Sequence, residues 1–216
     1  MSNSRILSIA AFALAAVTGP AVVSGSALAA PCALADVSLT IGGTTYHPTS
    51  CADNVAQGGG PTAEANSLNT KLGTSFVYLD KSDDPGTPPG LGGVTFQVGS
   101  VSGNSGSWTL SWTNTAGPPD LPLLVDLDVG LFGGNNGSGY LLTNVLLPLS
   151  PNSGTGTFDI NFVNNGGQQP TISHLLVAGG DARTPDPVPE PATLTLLGSA
   201  LLGLALSRRR SAAVKP

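Results

Sequence analysis

Residues 107–113 read Ser107-Trp108-Thr109-Leu110-Ser111-Trp112-Thr113. Large apolar and small polar side chains alternate without a break. In an extended chain successive side chains leave opposite faces, so Trp108, Leu110 and Trp112 share one face and the hydroxyls share the other. A period of two marks a strand with one face buried. The same alternation runs through Val94-Thr95-Phe96-Gln97-Val98 and through Phe158, Ile160 and Phe162. It recurs from Val125 to Leu131, where Asp126 and Asp128 stand between apolar neighbours. Val37–Ile41, Ser75–Asp80, Tyr140–Leu147 and Thr171–Val177 also have strand composition. Turn-forming clusters separate these runs: Gly42-Gly43, Asp84-Pro85-Gly86, Asn104-Ser105-Gly106, Gly117-Pro118-Pro119, Asn135-Asn136-Gly137 and Asn164-Asn165-Gly166-Gly167. Their residues supply the dihedrals that tight turns require. Eight or nine short strands so separated predict an all-β fold, an antiparallel β-sandwich. No internal repeat is visible, which argues against a propeller or a solenoid.

The composition agrees with this reading. The chain has 216 residues, with 29 Gly, 18 Pro and only 10% charged residues. A coiled coil, a long-helix protein or a charge-driven disordered tail needs far more Glu, Lys and Arg. Eight Lys and Arg with a net charge of −5 cannot neutralise many phosphates, so no nucleic-acid partner is expected. Between residues 30 and 187 the only cations are Lys71, Lys81 and Arg183, whereas all 13 Asp and Glu except Glu190 fall there. The central region is therefore acidic and self-repelling, which favours solubility.

Much of the apolar character lies at the two ends. Residues 1–29 have the layout of a secretory signal. Arg5 supplies the positive start, Ile6 to Val17 the apolar run, Gly19 and Pro20 the break, and Ala27-Leu28-Ala29 the small-x-small site. Cleavage is expected between Ala29 and Ala30, with signal peptidase and the Sec export machinery as partners. The run from Ala192 to Leu206 carries no charge and leads to Arg208-Arg209-Arg210. It is shorter than the ~20 residues of a comfortable span, and snorkelling flanks can extend it. The arginines act as stop-transfer charges, remain on the cytoplasmic side and place the rest of the chain outside. Just before this run stands Val188-Pro189-Glu190-Pro191. Two prolines around one Glu exclude a helix interior and a sheet centre, so this segment is extended. The expected organisation is a signal peptide (1–29), a β-sandwich ectodomain (30–180), an extended spacer (181–187), a sorting signal (188–210) and a cytoplasmic tail (211–216).

A short extended motif, an apolar helix and an Arg cluster, in that order, resemble the PEP-CTERM sorting domain. This is the signal on exported proteins of Gram-negative bacteria that carry an exosortase. The resemblance covers Val188 to about Arg210. It implies that Pro189-Glu190-Pro191 is the recognition motif, that the exosortase is the processing partner, and that the protein is linked to exopolysaccharide and biofilm. The segment from Phe158 to Val177 is more loosely similar to the region ahead of the anchor in such proteins. The expected product is a non-enzymatic protein without a cofactor. It is anchored in the inner membrane with its ectodomain in the periplasm, then moved to the cell surface or the extracellular matrix, where polysaccharide is a further partner. A carbohydrate-binding module and a secreted hydrolase remain as other readings, because sandwiches host all three.

Several residues in the central region have chemistry to weigh. Cys32 and Cys51 are the only cysteines, and in an exported protein two cysteines pair. Asp80-Lys81-Ser82-Asp83-Asp84 has the oxygens for Ca²⁺ but neither the EF-hand spacing nor its terminal Glu, and reads first as an acidic turn after a strand. Asp126 and Asp128 are paired carboxylates or simply the wet face of a strand. Trp108 and Trp112 are core residues or a sugar-stacking platform, with Tyr46 and Tyr140 as looser candidates. His47 and His174 are the only histidines, and neither a Gly-x-Ser-x-Gly elbow nor a metal-type His pair accompanies them. The glycine-rich stretches Gly99–Gly106 and Gly133–Gly139 read as hairpin tips. No Lys-Ser/Thr and helix follow them, so a phosphate loop is excluded.

Overall fold

The computed structural model describes residues 31–84, 90–115, 120–164, 166–185 and 196–201. They form ten strands and one long helix: β1 (Val37–Ile41), β2 (Thr44–Tyr46), β3 (Ser50–Asp53), α1 (Pro61–Leu72), β4 (Val77–Lys81), β5 (Val94–Val98), β6 (Ser105–Asn114), β7 (Leu123–Gly133), β8 (Asn136–Leu147), β9 (Ser153–Asp159) and β10 (His174–Arg183). Two five-stranded sheets result, ordered β2-β1-β9-β6-β5 and β3-β8-β7-β10-β4. Every pairing is antiparallel. Both sheets send side chains into one core. Leu39, Trp108, Trp112 and Phe158 come from the first sheet, and Leu127, Val129, Leu142 and Val177 from the second.

The strand count exceeds the expectation because β2 and β3 are too short for alternation to register. The sequence pattern also gives no sign of α1. Pro61 opens it, where a missing N–H costs nothing. Gly73 closes it in the left-handed region (φ 74°), donating its N–H to Asn69 O at 2.9 Å. α1 lies on the outer face of the second sheet. There Ala65 and Leu68 pack with Val55, Phe132, Leu176 and Ala178 in a second apolar cluster. The second sheet is thus buried on both faces, and the expectation of a wet face at Asp128 is corrected: Asp128 has no exposed surface.

The free edge of β5 is blunted at both ends. Val98 N–H donates to Asp80 Oδ2 at 2.6 Å, and Leu91 and Val94 exchange backbone bonds. An edge so occupied is a poor template for another strand.

Cys32 and Cys51 form a disulfide, which ties the N-terminal segment to β3 and so to the second sheet. With 19 residues of separation, the chain-entropy relation gives about 3 kcal/mol. Replacing both cysteines by Ser should lower stability by about that amount in urea titrations. An unchanged midpoint would show that the bond adds nothing.

β10 sets the long axis of the second sheet. It begins at His174, opposite Phe132, and ends at Arg183, opposite Leu124. At ~3.3 Å per residue its ten residues span about 30 Å.

Candidate functional site

The main cluster of ionisable groups sits where β10 begins. Glu64 in the first turn of α1, Lys81 at the end of β4, Asp83 just beyond it and His174 converge there. His174 Nε2 lies 2.9 Å from Glu64 Oε2, and both side chains are buried. Gly58 N–H donates to Glu64 Oε1 at 2.9 Å. Lys81 Nζ stands 3.9 Å from Glu64 and 3.3 Å from Asp83. On its other side His174 Nδ1 meets Ser173 Oγ at 3.2 Å and Asp83 Oδ2 at 4.0 Å, while the Phe132 ring stacks on the imidazole at 4.8 Å. Burial pushes the His174 imidazole below its ordinary range, against the opposing pull of Glu64. Because the folded state favours the neutral ring, its contribution to stability is complete above the ordinary His range and is lost on acidification.

Ser173, His174 and Glu64 superficially suggest a nucleophile, base and acid. Further hydrogen bonds tie these groups to the scaffold. The Ser173 hydroxyl donates to Phe132 O at 2.9 Å and accepts from Gln57 Nε2 at 3.0 Å. The cluster clamps α1, β4 and β10 together, and α1 could not have drawn attention to Glu64 because no helix was expected there.

A groove of about 640 Å³ opens beside this clamp. Its rim is the Asp80–Asp84 segment, and its floor the polar face of β5 and β6, with Thr95, Gln97, Ser111 and Thr113. The acidic segment does not gather its oxygens. Asp80 turns inward to Val98, and burial raises its carboxyl above the usual range despite that bond. Asp83 faces Lys81. Among the described residues no three His, Cys, Asp or Glu groups converge as a metal site.

The aromatic candidates are core residues. Trp108 and Trp112 are buried and donate their indole N–H groups to Ser38 O and Pro148 O at 3.1 and 3.0 Å. Tyr140 is buried, with its hydroxyl on Asp36 Oδ2 at 3.0 Å. Tyr46 is half-buried and accepts from Leu146 N–H. His47 is exposed in the β2–β3 connection. Gly133–Gly139 is no loose tip but a two-residue turn, Gly134-Asn135, between two buried strand ends. Gly99 follows β5, and its N–H donates to Thr109 O.

Ala29 and Ala30, Val188-Pro189-Glu190-Pro191 and Arg208–Arg210 lie outside the described residues. Residues 196–201 are helical, with Leu196, Leu197 and Leu201 exposed, and among the described residues no helix is long and apolar enough to cross a membrane.

A family model for the PEP-CTERM protein-sorting motif matches residues 187–210. The chain carries that motif, and the match contains the Pro-Glu-Pro triplet, the apolar run and the three arginines. Among curated proteins and solved structures, none is similar enough to this chain to be matched. The matched segment starts four residues after β10 ends at Arg183. Four residues reach at most ~14 Å.

Proposed function

We propose that this chain is an exported, non-enzymatic surface or extracellular-matrix protein sorted by an exosortase. The sorting motif at residues 187–210 carries this reading. In it, the signal peptide is removed between Ala29 and Ala30 after Sec export. The C-terminal run then holds the protein in the inner membrane with its ectodomain in the periplasm. Processing follows at Pro189-Glu190-Pro191, and the product joins the exopolysaccharide of a biofilm. The two prolines remove N–H donors and fix an extended backbone, so a groove in the processing enzyme takes the segment at little ordering cost. Glu190 offers a carboxylate to a cation there. The disulfide supports an oxidising destination. The burial of the Glu64–His174 pair supports a non-enzymatic role. The burial of Trp108, Trp112 and Tyr140 takes the stacking platform away from the carbohydrate-binding reading.

The test is Glu190→Ala in cells that contain the exosortase. The expected result is a full-length, membrane-bound form that does not mature, whereas replacing Arg208–Arg210 should disturb retention or topology. Normal maturation of Glu190→Ala, with the arginines still on the mature protein, would make the C-terminus a plain anchor.

A further inference from the structure

Where α1 ends, three polar side chains meet under the apolar cover of the helix. The Thr74 hydroxyl lies 2.9 Å from Asn69 Oδ1 and 2.5 Å from Asp128 Oδ2. Asn69 is fixed in orientation: its Oδ1 accepts Phe76 N–H and its Nδ2 donates to Phe76 O, each at 2.9 Å. Asn69 Oδ1 therefore brings no hydrogen to Thr74. A single hydroxyl hydrogen cannot serve both Asn69 and an ionised Asp128. Both contacts are satisfied only when Asp128 carries a proton, donates it to Thr74 Oγ1, and Thr74 donates onward to Asn69. Asp128 Oδ1 is buried without a partner, a far smaller cost for a neutral acid than for a carboxylate.

We infer that Asp128 is a proton-operated latch: neutral, it completes the chain to Thr74 and Asn69 and holds the end of α1 on the sheet; ionised, it breaks that chain and loosens residues 69–76. The loss would act on more than one side chain. Asn69 also receives the Gly73 and Thr74 N–H groups on its backbone oxygen, so it organises the whole helix end. A hollow of about 270 Å³, lined by Gly73–Phe76, Asp126 and Asp181, stands on the Thr74 side of the latch.

Burial is the main cause that raises the Asp128 carboxyl, to about 6, against the hydrogen bond that Thr74 can give only to the ionised form; Asp126 adds like charge. The other charged or titratable groups around it come from each packed element: Lys71 in the last turn of α1, Tyr78 of β4 in the same cross-strand row, and Asp181 and Arg183 at the end of β10. From β8 comes only Leu141. Arg183 stands 3.9 Å from Asp126. His174, at the other end of α1, works in the opposite sense on acidification.

The sign follows from the raised value. The latch is fully closed below the unfolded carboxyl range near 4, and its stabilisation is lost as the pH rises through about 6. The test is hydrogen exchange of the full chain between pH 4.5 and 8, with exchange corrected for its intrinsic pH dependence, alongside the ¹³C carboxyl titration of Asp128. The expected result is a midpoint near 6 and opening of the Gly73–Phe76 amides that increases roughly tenfold or more across it. Asp128→Asn, which keeps a donor toward Thr74, should hold those amides closed at all pH values. A carboxyl midpoint near 4, or the same pH-dependent opening in Asp128→Asn, would overturn the latch. Thr74→Val separates the chain from the carboxyl alone: it should open the same amides even at pH 4.5.

Discussion

Gly156→Val is expected to prevent folding. Gly156 lies in the middle of β9, opposite Leu39 on one side and Trp108 on the other. All three positions face the core. A Cβ at 156 would stand 2.1 Å from Ser38 O and 2.1 Å from Trp108 Nε1. Those two atoms are hydrogen-bonded to each other across β9, so the indole lies directly over the glycine. Neither can yield: Ser38 O belongs to the backbone of β1, and Trp108 is packed in the core at 1% exposure. Overpacking alone costs about 1–3 kcal/mol. Here a buried N–H also loses its acceptor, adding about 1–3 kcal/mol. The sum, about 2–6 kcal/mol, reaches the lower end of the roughly 5–15 kcal/mol by which domains are stable. Urea unfolding followed by tryptophan fluorescence reads it directly. The variant should show water-exposed emission without denaturant, whereas Thr155→Val on the outer face should fold normally. A folded Gly156→Ala with native emission would mean that the indole does not lie there.

Gly156 also explains where the sequence misplaces a strand. Alternation predicts a strand from Phe158 to Phe162, but β9 is Ser153–Asp159. Its inward positions include Gly154 and Gly156, which carry no hydrophobic signal because neighbouring side chains cover them. The same holds for β10, whose later residues include Gly179 and Gly180, closely approached by Leu79 and Phe76. Strands that contribute their own large side chains, β1, β5, β6 and β7, were legible. The helix was not. Its buried face is Glu64, Ala65 and Leu68, too sparse a stripe to stand out among polar residues. Without α1, neither the burial of Asp128 nor the partner of His174 can be anticipated. The sorting motif was legible because linear order, not tertiary packing, defines it.

The second large effect is expected from Glu64→Ala. The Glu64 carboxylate accepts from Gly58 N–H and from His174, and stands near Lys81. Truncation leaves the buried His174 Nε2 and the Gly58 N–H without these partners, and removes the negative charge between Lys81 and His174. Leaving such N–H groups without an acceptor costs about 1–3 kcal/mol each. Because Glu64 lies in the first turn of α1, the loss should appear as release of the helix start, with faster exchange at Ala65 and Leu68. Glu64→Gln keeps an acceptor for Gly58 and should cost clearly less. It also provides a readout that packing alone would not move. The Glu64 charge is the strongest influence that opposes the lowering of the His174 imidazole by burial. In Glu64→Gln the ring should therefore titrate at still lower pH in an NMR titration. An unmoved His174 would show that the 2.9 Å contact exerts no electrostatic hold, and that α1 is kept in place by Ala65 and Leu68 alone.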